Sequence, residues 1–120
     1  MNPLRVASVQ FQHSPGDKEA NFNTLRSFVE KAARTKVDLV VFPEMCLTGY
    51  WHVRHLNREE VESLAEPVPE GSSTKAILAL SAQPGLTIGA GLVALVSSCK
   101  CYNSYVDGMS DGVCTKHRNL

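Results

Sequence analysis

Short apolar runs alternate with amphipathic segments along this chain. The run at residues 37–42 is apolar except for one aspartate, and it ends abruptly in Pro43 and Glu44. An apolar run of this length that ends in a breaker is typical of a buried strand in an α/β sheet. Because proline cannot donate to a strand ladder, we expect the strand to end there and to leave Glu44 just beyond its carboxyl edge. Open α/β sheets bind their ligands at that edge.

The same periodicities predict the other elements. Residues 4–11 are strand-like, and Asp17 is the expected N-cap of an amphipathic helix that keeps a 3.6-residue period to about Thr35. A loop is expected over residues 48–56. Asn57, with a glutamate three residues later, has the spacing of a capping box that begins a short helix. A helix is also predicted at 73–82, with strands at 86–96, 101–106 and 113–118. Strands separated by helical crossovers indicate a mixed sheet covered by helices.

The position of Glu44 by itself supports two interpretations. A carboxylate that follows an apolar strand can be desolvated, which raises its pKa and suits it to proton transfer. A glutamate at a strand end can equally cap a helix or lie in solvent, and position alone favours this second interpretation.

One segment resembles the glutamate motif of the nitrilase, or carbon–nitrogen hydrolase, superfamily: Phe42-Pro43-Glu44-Met45-Cys46-Leu47-Thr48-Gly49-Tyr50. Other stretches follow in the family's order: Leu4 to Gln12, Asn21-Phe22-Asn23, Pro69-Glu70-Gly71, Ile88-Gly89-Ala90-Gly91, Tyr102-Asn103-Ser104 and Lys116-His117-Arg118-Asn119-Leu120. The resemblance covers nearly the whole chain and about the first half of a family domain. It implies an α/β fold, a partial α-β-β-α sandwich whose mixed sheet has helices on one face, with residues 1–120 as a truncated N-terminal part.

The resemblance also implies a chemistry carried by a glutamate, a lysine and a cysteine. The glutamate takes the thiol proton, and the thiolate attacks the carbon of a small amide, nitrile or carbamoyl compound. The lysine stabilises the developing negative charge, and water then releases the acyl group from a thioester. Glu44 matches the family's general base.

Asn119 stands where the family has its lysine. An amide carries no charge and cannot replace the electrostatic contribution of an ammonium group. On a strand, Lys116 and Arg118 would point away from the face used by Asn119, and His117 would share that face about 6.6–6.8 Å along the strand. None of the three is therefore a ready substitute.

The nucleophilic cysteine of the family lies well after its lysine, and none of the four cysteines of this chain occupies that place. Cys46 is interpreted as a small buried thiol. The pair Cys99 and Cys101 lacks the second pair that a zinc site needs, so we expect neither a metal nor a cofactor. By resemblance, Tyr50 and Trp51 lie in a loop that borders the substrate pocket, although a solvated surface loop is an equally good interpretation.

Composition agrees with a globular protein, because 43% of the residues are hydrophobic and 20% are charged. Twelve basic and twelve acidic side chains cancel, so neither nucleic acid nor an anionic membrane surface is an expected partner. The start has no apolar leader segment, and no stretch reaches the roughly 18 apolar residues of a membrane span. We therefore expect a cytoplasmic protein with reduced thiols.

Two functional hypotheses follow. The first is a carbon–nitrogen hydrolase acting on small amides, nitriles or carbamoyl compounds. The second is a non-catalytic truncated paralogue or fragment that at most associates with an intact family member, and the missing lysine and cysteine favour it for this polypeptide. Because a missing second sheet would leave one face of the first sheet uncovered, we expect marginal stability, aggregation or a homo-oligomer.

Overall fold

The computed structural model describes residues 3–97, 100–109, 111–112 and 114–118. In these ranges the chain forms one sheet in the order β1-β2-β3-β4-β5. The strands are β1 (Val6–Ser8), β2 (Leu39–Val41), β3 (Thr87–Ser97), β4 (Lys100–Gly108) and β5 (Cys114–Arg118). The first three pair in parallel, whereas β3, β4 and β5 pair in antiparallel fashion. The predicted mixed sheet is confirmed.

The helices are α1 (Lys18–Arg34), α2 (Tyr50–Arg54), α3 (Arg58–Leu64) and α4 (Ser72–Ala82). Two predicted caps are confirmed: Asp17 accepts from the backbone N–H of Ala20, and both bonds of the Asn57–Glu60 capping box are present. The continuous loop predicted over 48–56 is wrong, because α2 lies within it. A five-residue helix is too short to show a 3.6-residue hydrophobic period, which explains the missed element.

The strand pleat separates two faces of the sheet. On the face covered by helices, Val40, Ile88 and Val106 are buried in one core with Leu25 of α1 and Ile77 of α4. We call the opposite side the second face; it is formed by alternate strand residues, among them Leu39, Val41, Gly89, Gly91, Tyr105 and Asp107. Helices α1 and α4 therefore lie on one face, and the second face presents the residues described below.

A buried carboxylate joins three elements on the helix side. Glu66 receives hydrogen bonds from Lys18 at the start of α1, at 2.7 Å, and from the backbone and hydroxyl of Ser73 at the start of α4. Its own backbone pairs with β3, donating to Val93 O and accepting from Leu95 N. Burial by itself raises the pKa of Glu66, but the bonds from Lys18 and Ser73 outweigh it and the net pKa is lowered. Sequence reasoning had not singled out this residue.

Candidate functional site

Glu44 begins a tight turn directly after β2. The strand is extended by the backbone bond from Phe42 N to Gly89 O at 2.8 Å, and the turn continues through Met45, which has a positive φ of 55°. The Glu44 side chain is exposed, so of the two interpretations that its position allows, the desolvated carboxylate is wrong and the solvated glutamate is confirmed. The physical reason is that the turn passes over the second face and carries the carboxylate away from the buried core.

Two glycines of β3 make this path possible. A Cβ added to Gly91 would lie 2.2 Å from Met45 N and 2.9 Å from Glu44 Cα. A Cβ added to Gly89 would lie 2.7 Å from the ring of Tyr105. All three distances are shorter than side-chain atoms tolerate, so any larger residue would displace the turn or the ring. The glutamate turn therefore lies directly on the backbone of β3.

Strand β4 supplies the neighbours of the glutamate turn. Asn103 Nδ2 donates a hydrogen bond to Glu44 Oε1, and the Tyr105 hydroxyl donates to Phe42 O at 2.7 Å. Burial raises the pKa of Tyr105 well above its ordinary value, which keeps the hydroxyl protonated as a donor. Asn103 Oδ1 is buried and has no hydrogen-bond partner in the described part of the chain. The sequence signal that could have found these residues is the polar alternation of Asn103, Tyr105 and Asp107 along a strand.

Strand β5 continues this polar row. His117 Nε2 lies 3.1 Å from Asp107 Oδ2, and Thr115 donates to the same oxygen at 3.3 Å. His117 pairs with Tyr105 in the strand register and Lys116 pairs with Val106, so the predicted alternation of faces is confirmed for these two residues. Asn119 lies outside the described residues, and its assignment to the family's lysine position stays a prediction.

The other predicted binding residues lie on α2. Trp51 is 70% exposed, and the guanidinium carbon of Arg54 lies 4.7 Å from its ring centroid. Such stacking holds the indole in place while leaving much of its surface open to solvent. The Tyr50 side chain is outside the described part of the structure. A role of Tyr50 or Trp51 in substrate binding stays a prediction.

The described cysteines are poor nucleophiles. Cys46 is fully buried, its thiol lies 3.7 Å from Gly91 O, and burial raises its pKa to about 11. Burial also raises the pKa of Cys101 and Cys114, which are half-buried. Because the thiolate is the reactive form, all three are disfavoured for attack at neutral pH. The interpretation of Cys46 as a small buried thiol is confirmed, and Cys99 lies outside the described residues.

In the described part of the chain, the grooves on the helical side, away from Glu44, include the following three. One, of about 370 Å³, runs between β1 and α1 and is lined by Ala7, Phe28 and Lys31. The other two lie between α1 and α4. Within the described ranges, no set of three His, Cys, Asp or Glu side chains is arranged to hold a metal ion, and no helix is both long and apolar enough to cross a membrane.

Comparison with known proteins places this geometry in context. Residues 5–118 match the family model described as carbon-nitrogen hydrolase. A nitrilase of Pyrococcus abyssi is 30% identical over 117 residues, which are 98% of this chain and 43% of that protein. The chain thus spans less than half the length of this curated relative.

Solved structures show the same fold. A carbon–nitrogen hydrolase superfamily protein of Xanthomonas campestris superposes with a TM-score of 0.82 at 22% identity, covering 99% of this chain and 41% of that one. Nit3 of Saccharomyces cerevisiae, of the nitrilase superfamily, gives 0.79 at 25% identity, covering 98% and 44%. An N-terminal amidase gives 0.83 at 22% identity, covering 98% and 28%. The partial sandwich predicted from the sequence is therefore confirmed at the level of the fold.

Proposed function

The chain belongs to the carbon–nitrogen hydrolase family, and from this we propose that it supplies the general base of a site that hydrolyses small amides, nitriles or carbamoyl compounds. Glu44 is the proposed base. The proposed substrate is a small molecule, and the proposed location is the cytoplasm, without a nucleic-acid or membrane partner.

The observation that supports this role is the placement of the Glu44 carboxylate. It is exposed on the second face, it follows the end of a parallel strand, and Asn103 holds one of its oxygens. A general base needs a carboxylate that is fixed yet open to the proton it accepts. Glu44 combines both properties, since the carboxylate can receive a thiol proton from a group that approaches over the second face.

The remaining catalytic groups are not evident in these 120 residues. Asn119 occupies the lysine position by resemblance, and Cys46, the cysteine nearest in sequence to Glu44, is buried. We therefore propose that these residues by themselves do not turn over substrate. The alternative function is that of a non-catalytic paralogue which at most associates with an intact family member.

Ammonia release from a panel of small amides, nitriles and carbamoyl compounds tests the proposal. If the chain is active, Glu44→Gln should abolish release, because glutamine cannot accept the thiol proton. Glu30→Gln is the matched control, since Glu30 is an exposed glutamate in the middle of α1. Activity that survives Glu44→Gln would contradict the assignment of the base.

The Asn119→Lys variant tests whether a thiol of these residues can reach the substrate. Restoring the charge without a suitable thiol should give no turnover, because the described cysteines are buried or half-buried. Turnover by Asn119→Lys would show that a thiol of this chain does reach the substrate, contrary to the buried position of Cys46.

A further inference from the structure

We propose that Asn103 and Tyr105 are positioning residues that hold Glu44 for proton transfer. Asn103 holds the carboxylate of Glu44, and Tyr105 holds the backbone of Phe42, two residues before it. The role in the reaction rests on the proposed function, whereas the two contacts can be tested without turnover. Neither residue is proposed to touch the reacting atoms.

Tyr105 fixes the backbone that leads into the glutamate turn. Its ring lies against Gly89, where an added Cβ would clash with it at 2.7 Å, and its hydroxyl donates to Phe42 O. The N–H of Phe42 is meanwhile bound to Gly89 O. The N–H of Phe42 is thus held by β3 and its carbonyl oxygen by β4. Pro43, which lies between Phe42 and Glu44, has a restricted φ angle.

Asn103 fixes the carboxylate itself. Its amide donates a hydrogen bond to Glu44 Oε1. A neutral amide orients a carboxylate without supplying a full positive charge, whereas a lysine or arginine in the same place would form an ion pair and weaken a base. The residue type therefore suits a base that must stay available to accept a proton.

The environment of Asn103 argues against a purely structural role. Its Oδ1 atom is buried without a partner in the described part of the chain, and an unsatisfied buried acceptor costs free energy. A side chain selected for packing alone would have no need for this oxygen. The Nδ2 atom of the same amide donates to Glu44 Oε1, and this contact is the function that we assign to the side chain.

The carboxylate contact can be tested by NMR on the full chain. The side-chain amide signals of Asn103 should shift with pH as Glu44 takes up a proton, and Glu44→Gln should remove this response. Asp107→Asn is the matched control, because Asp107 is the next carboxylate along the same face of β4 and should not be needed for the response. Asn103 signals that ignore pH, or that respond equally in Glu44→Gln, would overturn the proposal.

The backbone contact can be tested by hydrogen exchange and mass spectrometry. Tyr105→Phe keeps the ring but removes the donor, so exchange at residues 42–49 should become about two- to tenfold faster. Exchange in α1 serves as an internal control and should not change. Equal acceleration in both segments, or none in the turn, would show that the hydroxyl does not hold the turn.

A stability measurement separates positioning from packing. Asn103→Leu removes the buried acceptor at similar volume, so the melting temperature should stay the same or rise. In any preparation that hydrolyses a substrate, the same variant should lower kcat with little change in KM. A lower melting temperature would mean that Asn103 is structural. Hydrolysis that survives Glu44→Gln, together with an intact NMR response, would count against the proposed function and leave the contact established.

Discussion

Gly91 determines where Glu44 can lie. The position has no side chain, and the backbone of Glu44 and Met45 fills the space in which a Cβ would stand. The catalytic candidate is thus held by a residue 47 positions away (91 − 44) as well as by its own turn. The position of Glu44 therefore depends on the absence of a side chain at residue 91.

Gly91→Ala should lower the free energy of unfolding by about 1–3 kcal/mol, the usual range for overpacking a filled site. The reason is the 2.2 Å approach of the added carbon to Met45 N. Urea titration gives the magnitude, and exchange at residues 42–49 should report the displaced turn. Gly85→Ala is the control, because its Cβ would meet nothing within 4 Å and the substitution strains only its own backbone at a φ of 72°. Undisturbed exchange in the turn of Gly91→Ala would contradict this account.

Cys46 should resist alkylation in the folded chain. With a pKa of about 11, the thiolate amounts to about one part in a thousand at pH 8, and the sulfur is buried. Iodoacetamide treatment followed by mass spectrometry should label Cys114, which is half-buried, well before Cys46. Urea should make both reactive. Complete labelling of Cys46 under native conditions would show that the thiol is accessible after all.

Glu66 connects α1, α4 and β3 on the helix side of the sheet. The residue lies beyond α3, pairs with β3 through its backbone, and receives bonds from the first turns of α1 and α4. Gly71 has no capping side chain for α4, and a Cβ there would meet Glu66 Oε1 at 2.8 Å. The Glu66 carboxylate therefore caps the N-terminus of α4, the next helix along the chain.

Lys18→Met should destabilise the chain by about 1–3 kcal/mol, because it leaves the buried Glu66 carboxylate without its cation. Arg58→Met is the control: its pair with Glu62 is exposed, and such helix pairs contribute only about 0.3–0.5 kcal/mol. Chemical denaturation at neutral pH compares the two. Equal losses of stability in the two variants would mean that the Lys18–Glu66 pair contributes no more than an exposed ion pair.

Glu66 should also confer a pH dependence on stability. Its pKa is lower in the folded chain than the ordinary 4.5, so its contribution is fully present above 4.5 and is lost as the pH falls through the folded value. Glu66→Gln should therefore show a shallower loss of stability below pH 4.5 than the unsubstituted chain. If the stability of both chains falls equally as the pH is lowered, groups other than Glu66 cause the acid sensitivity.

At the scale of the whole molecule, the two faces of the sheet differ in cover. The helix side is closed by α1 and α4, whereas Val6 on the second face is 56% exposed and Leu39 and Val41 are only half-buried. Relatives that share this fold are more than twice as long as the matched segment. Val6, Leu39 and Val41 form an apolar patch at the β1–β2 end of this face, and an apolar patch that is open to water promotes association.

The 120-residue chain should therefore be marginally stable and should associate as its concentration rises. Size-exclusion chromatography with light scattering measures this, and Val6→Glu should shift the equilibrium towards the monomer. Trp51→Glu is the control, because Trp51 is exposed but lies on α2 outside the sheet face. A soluble monomer with a sharp two-state thermal transition would contradict the prediction.

The amino-acid sequence by itself determined the local features of this protein. The end of β2 shortly before Pro43, the cap at Asp17 and the Asn57–Glu60 box each depend on residues within a few positions, so their patterns are visible in one stretch of chain. The motif around Glu44 likewise indicated the family correctly. Short α2 was missed because five residues do not display a period.

Only the tertiary structure decided the surroundings of the key carboxylates. Asn103 and Glu44 are 59 residues apart, and Lys18 and Glu66 are 48 apart, so no local pattern links them. The exposure of Glu44 depends on the glycines of β3, and the burial of Glu66 depends on two helices and a strand meeting at one point. Strand order and register bring these groups together, because pairing between distant segments fixes which side chains share a face.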